Sequence, residues 1–256
     1  QDNIFALIAG NALSAQGAVG SWTVDCNLFR GPISGKAMHF HDQGGSVALT
    51  GNQISGSAKG VFVTGGNAAW AVSGNQVNGS QSGVPPGPMI GFGFADLGAS
   101  ASVNFTDNTI ANAGLTGLGF LNCLADVLVD DNDIYGTWSD SGGNHPRQYV
   151  GIGVLIIDSS GIEVSNNVLR DNAYAAILID LNESEEASVI VRNNTTSNNG
   201  EEEESTDVVQ QNIAETATVV VSESGNQSEN QADDRVPVSR EVERPPRCGN
   251  DVLEAG

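Results

Sequence analysis

Apolar and polar residues alternate along most of this chain in one recurring phrase, apolar-x-apolar-x-x-Asn-x-apolar. Its copies are Trp22, Val24, Asn27, Phe29; Val47, Leu49, Asn52, Ile54; Trp70, Val72, Asn75, Val77; and Val103, Phe105, Asn108, Ile110. Three more follow: Val127, Val129, Asn132, Ile134; Ile162, Val164, Asn167, Leu169; and Val189, Val191, Asn194, Thr196. A degenerate copy with Asn11 opens the chain, and another with Asn226 closes the series. The asparagines are spaced by 25, 23, 33, 24, 35 and 27 residues. A repeat of a few tens of residues is the mark of a solenoid.

Period-two alternation before the Asn predicts a strand with one side inward. The residues just after it, such as Gln53 and Ile54 or Thr109 and Ile110, predict a short second strand. A third apolar run precedes each next phrase: Ala37 to Phe40, Val61 to Val63, Ile90 to Phe94, Leu118 to Leu121, Ile152 to Ile157 and Ala176 to Ile179. Three short strands per turn, joined by Gly, Asn and Ser, describe an all-β parallel β-helix of about nine coils over residues 1–228. Coils stack at about 4.8 Å, so like residues lie above like. An Asn at the same bend in each coil then bonds its amide to the Asn above and below and tolerates the left-handed backbone of a sharp turn.

These residues resemble the right-handed parallel β-helix superfamily, the pectate-lyase-like fold, in which the phrase corresponds to the second strand, an Asn-ladder turn and the third strand. The resemblance implies a fold; lyases, hydrolases, epimerases, adhesins and stalks all use it. It also implies that a site lies on the outer face of the first strand stack and its flanking loops.

Composition narrows the partners. The 32 glycines and 5 % aromatic residues suit a stacked, turn-rich solenoid, and no apolar run is long enough to span a membrane. Net charge is −21, with 13 acids against 5 Lys/Arg in residues 1–179 and 18 against 5 in residues 180–256. With no basic stripe, nucleic acid is excluded as a partner. The chain begins inside a repeat, as a processed or trimmed piece of a longer protein does.

After Asn194 the register weakens, and the acid run Glu201 to Glu204 predicts a solvated loop tip. Residues 229–247 lose the period and hold Pro237, Pro245 and Pro246, so they read as an extended linker. Residues 248–256 resemble the opening of the cysteine-rich repeats of myxobacterial surface and secreted proteins, which implies an extracellular or cell-surface setting. Cys248 would then lack its disulfide partner. Cys26 and Cys123 belong to coils about four rungs, or roughly 19 Å, apart, so they should not pair and read as small buried side chains.

Candidate chemistry is sparse. Asp158 and Asp180 end the third runs of adjacent coils, and carboxylates on neighbouring rungs reach the separation that glycoside cleavage needs. The same residues also read as turn carboxylates, and a one-residue register shift separates them. Arg147 is a rare cation, and the resemblance implies Arg or Lys as the base of a lyase. The insertion from Tyr135 to Tyr149 carries Trp138, His145, Arg147 and Tyr149, and its aromatic faces can hold a sugar ring. His39 and His41 point outward from one strand as a His-x-His pair, and Asp96 stands on another coil. Asp130, Asp131 and Asp133 leave calcium open as a cofactor, although Asn132 between them belongs to the ladder. Phe62, Leu121 and Leu178 are expected on the outer face too, where an apolar row calls for a partner.

The function expected from all this is a secreted or cell-surface stalk, adhesin or glycan-contacting module, with polysaccharide or another surface protein as partner. The alternative is a polysaccharide lyase or glycoside hydrolase using Asp158, Asp180 and Arg147.

Overall fold

Alternating side chains make the strands, and a left-handed residue at most of the described bends turns the chain onto the next face. The computed structural model describes residues 3–6, 8–31, 33–79, 90–138, 150–182, 187–200, 207–214, 216–222 and 227–228. The regular elements among them are β-strands in three parallel sheets. The first sheet has eight strands, from Leu13–Gln16 to Val208–Gln211. The second has eight, from Ser21–Asp25 to Thr218–Val221, and the third has nine short ones, from Ile4–Ala6 to Gln227–Ser228. Each strand pairs with those one coil before and after: Phe105 lies opposite Val72 on one side and Val129 on the other. This is the parallel β-helix that the repeat predicts.

The pleat decides what is inside. Val47 and Leu49, Val103 and Phe105, Val127 and Val129 are buried, while the residues between them face out. Aromatic rings continue from coil to coil through the core, Phe40 to Trp70 at 5.3 Å, Trp70 to Phe94 at 6.2 Å and Phe94 to Phe120 at 5.4 Å.

The asparagine ladder is continuous. Nδ2 of each Asn donates to Oδ1 of the next: Asn27 to Asn52 at 3.1 Å, Asn52 to Asn75 at 2.9 Å, Asn75 to Asn108 at 2.9 Å and Asn108 to Asn132 at 3.1 Å. Asn132 continues it to Asn167 at 2.8 Å, and Asn167 to Asn194 at 2.9 Å. The same Oδ1 atoms also accept the backbone N–H of the preceding Asn, as from Asn108 to Asn132 at 2.9 Å. The rung before Asn27 is not Asn11. Asn3 fills it, donating to Asn27 Oδ1 at 2.8 Å, whereas Asn11 accepts the Lys36 backbone N–H at another bend. A second, shorter ladder joins Thr137, Asn172 and Asn199.

Left-handed residues line up in columns at the bends. Before the long ladder the column contains Cys26, Gly51, Gly74, Asp107, Asp131, Asn166 and Asn193, all at φ between 53° and 64°. After the first sheet it runs through Asp42, Gly65, Asp96, Asn122 and Asp158. Only Gly, Asn and Asp visit this region readily, and a parallel stack asks for it at the same place in every coil. Cys123 is buried with a free thiol, as expected. Cys26 is not a buried bystander: it is half-exposed and disulfide-bonded. The linker, the C-terminal nine residues and the Glu201–Glu204 run also lie outside them.

Candidate functional site

The outer face of the first sheet carries the side chains that the pleat turns away from the core. One registered row runs His39, Phe62, Gly93, Gly119, Leu155 and Leu178; the next runs His41, Thr64, Ala95, Leu121, Ile157 and Asp180. Phe62 is half-buried, and its ring lies over Gly93, where an added Cβ would come within 2.8 Å of it. Gly119 opens onto free space, with only Thr116 Cγ2 at 3.7 Å from such a Cβ. Leu121 is 42 % exposed. The outward placement of Phe62 and Leu121 matches expectation, but Leu178 is fully covered.

Charge gathers at one end of this face. Lys36 and Lys59 are paired across adjacent coils, with their ammonium groups 5.2 and 5.5 Å from the centre of the Phe62 ring. Burial and then the Lys59 charge hold the Lys36 ammonium below the usual lysine range. His39 stands 6.4 Å from the same ring, its pKa lowered by burial first and then by Lys36 and His41. His41 is engaged at both ring nitrogens, Nδ1 with Thr64 Oγ1 at 2.9 Å and Nε2 with Asp42 Oδ2 at 3.1 Å. The His-x-His pair therefore packs as part of a polar and aromatic patch.

Asp158 and Asp180 are not stacked. Ile157 is opposite Asp180, so Asp158 lies one residue further on, in the left-handed column at φ 43°. Its backbone N–H donates to the Asp180 carbonyl at 2.8 Å. The Asp180 carboxylate is buried and accepts from Gln211 Nε2 at 2.9 Å and Asn212 Nδ2 at 3.2 Å. The one-residue shift thus gives the two acids different duties, a bend and a buried acceptor. Asp96 occupies the same bend column as Asp158 and accepts from Asn122 Nδ2 at 3.3 Å.

The Asp-rich turn is likewise structural in form. Asp130 accepts from Ser165 Oγ at 2.9 Å and Asn166 Nδ2 at 2.6 Å, and Asp131 is a left-handed bend residue. Asp133 pairs with Arg170 at 3.2 Å, and burial outweighs that cation in raising its pKa. Arg170 lies 3.9 Å above the Tyr135 ring. Among the described residues, no three His, Cys, Asp or Glu side chains converge as a metal set. Trp138 is half-buried, its backbone N–H donates to the Ala113 carbonyl at 3.1 Å, and its indole N–H has no hydrogen-bond partner among the described residues. His145, Arg147 and Tyr149 lie outside the described residues. Lys36, Lys59 and Phe62 had no common signal in sequence: 23 residues separate the lysines, and only strand register joins them.

A family model described as right-handed β-helix region matches residues 40–232. A search of the curated proteins gave no match. Among solved structures, the chain is similar to the DFA-IIIase of Arthrobacter chlorophenolicus A6 in complex with GF2, at 12 % identity and a TM-score of 0.27. That likeness covers 79 % of this chain and 56 % of the DFA-IIIase chain, so it spans little more than half of that protein.

Proposed function

This chain belongs to the right-handed β-helix family, and from that premise we propose that it is a glycan-contacting module of a secreted or cell-surface protein. The observation that carries this reading is the registered outer strip of the first sheet. His39, Phe62, Gly93, Gly119 and Leu155 follow one another on five consecutive coils, with Thr64, Ala95 and Leu121 alongside. At about 4.8 Å per coil the strip is roughly 19 Å long. A long, shallow track with an aromatic ring, a glycine notch and an exposed leucine suits an extended chain laid along the solenoid axis. Sugar rings present apolar faces to aromatic and aliphatic side chains and hydroxyls to the polar neighbours.

The test is a panel of polysaccharides, with and without calcium, scored for binding and for newly formed chain ends. Binding that Phe62→Ala weakens and Gly119→Trp blocks is the expected result. Release of new chain ends would put the lyase or hydrolase reading ahead, and binding to no glycan in the panel would sink the module reading.

A further inference from the structure

The chain has two lysines among 256 residues and 31 acids, and both stand beside one phenylalanine ring. A registered pair of like charges on neighbouring strands is destabilising. Neither lysine has an acidic partner among the described residues, and the cation–π contacts with Phe62 offset only part of the repulsion. The backbone is bent to make the pair. In the strand Ile33–Gln43, Ile33 is opposite Ser57 but Lys36 is opposite Lys59, a register shift of one residue. Such bulges re-aim side chains and gather near binding sites.

We propose that Lys36 and Lys59 form an anion subsite at one end of the outer strip, which takes a single acidic group carried on a mostly neutral glycan. This rests on the glycan-contacting reading above and adds the chemical class of the ligand. The acid is a carboxylate or a sulfate, since two ammonium groups serve either as point charges. The bulk charge of −21 sets the rest of the ligand. It repels a polyanion, whereas an isolated acid group in contact with two lysines feels mainly those lysines, because surface fields fade beyond a Debye length of about 8 Å at physiological salt. A neutral sugar chain then continues over Phe62 and Gly119.

Four ligands decide the matter by titration calorimetry: a neutral oligosaccharide bearing one uronic acid, its carboxyl-reduced form, an O-sulfated form and a polyuronate. The singly acidic and sulfated chains should bind about ten-fold more tightly than the reduced one, as charge-assisted hydrogen bonds do. The polyuronate should bind more weakly than the singly acidic chain at low salt. In the Lys36→Gln/Lys59→Gln variant the advantage of the acid should vanish while binding of the reduced chain stays unchanged. That variant relieves repulsion, so its melting temperature should not fall, and a thermal scan separates lost binding from lost folding. Equal binding of acidic and reduced chains would overturn the subsite and leave the module reading standing. Equal competition by inorganic sulfate would also overturn it, by showing an anion site indifferent to the sugar. Binding of none of the four would overturn both.

Discussion

Each ladder asparagine does the work of several ordinary side chains. Asn132 Nδ2 donates to Asn167 Oδ1, the Phe105 carbonyl and the Asp130 carbonyl, and its Oδ1 accepts two donors from Asn108. All of this is buried, where an unmet polar group is costly. Asn132→Ala should therefore lower stability by about 1–3 kcal/mol, read as a fall in denaturation midpoint. The aspartates before the ladder behave differently. Asp107 has a raised pKa, through partial burial first, then the Asp131 charge, a hydrogen bond with Asp131, and Asp130. A carboxyl whose folded pKa exceeds its unfolded value binds more protons when folded. Its contribution is complete below the unfolded value and is lost as pH rises through the folded one. Asn holds the same left-handed position at Asn166 and Asn193 in later coils, so Asp107→Asn keeps the bend. The variant should gain about 0.2–0.5 kcal/mol at pH 7, a small figure because the group is exposed and screened, and lose that gain near pH 4. Melting temperatures at both pH values check it. The ladder was legible in sequence because Asn sits at a fixed offset from the alternating apolar residues. Asp96 and Asp158 were not, since an aspartate has the same letter whether it turns a chain or moves a proton. Their exchange with Gly65 and Asn122 in one column reveals the bend, and that column exists only once the register is known.

At the scale of a strand, register separates positions that look alike. Thr116–Leu121 holds Gly117 and Gly119 two residues apart. A Cβ on Gly117 would meet Ile134 Cγ2 at 2.5 Å and the Gly153 carbonyl oxygen at 2.7 Å, while one on Gly119 has only Thr116 Cγ2 at 3.7 Å. Gly117→Ala should thus cost about 1–3 kcal/mol by overpacking, and Gly119→Ala should stay within about 0.5 kcal/mol of the parent. Equal effects in urea titrations would mean that the strand is mis-registered. The same dependence explains what the site reading gained and lost. Alternation alone put Phe62 and Leu121 outside. It did not show the bulge that brings Lys36 opposite Lys59, nor the single-residue offset that parts Asp158 from Asp180, because a slip of one residue leaves composition and period unchanged.

For the whole molecule the controlling quantity is charge. A solenoid is stabilised coil by coil through neighbours, and residues 43–95 hold no acid, so repulsion between acids on successive coils acts from Asp96 onward. Ion pairs among the described residues do little against it: Arg170 with Asp133 and Asp171, Arg192 with Glu163, and His41 with Asp42 when protonated. These pairs are partly exposed, and such pairs contribute up to about 1 kcal/mol each. Raising salt weakens both the pairs and the repulsion, and the balance follows from their numbers: 31 acids face 10 Lys/Arg. Shortening the Debye length from about 30 Å at 0.01 M to about 10 Å at 0.1 M removes repulsion across several coils and leaves contacts at hydrogen-bond distance largely intact. The melting temperature should therefore rise between these two sodium chloride concentrations, with most of the gain below 0.1 M. The same scan should show no further gain when calcium chloride replaces sodium chloride at equal ionic strength, if screening alone is responsible. A melting temperature that falls with salt would show that the few ion pairs outweigh the net charge, and a rise specific to calcium would direct attention back to the stacked aspartates at Asp107 and Asp131.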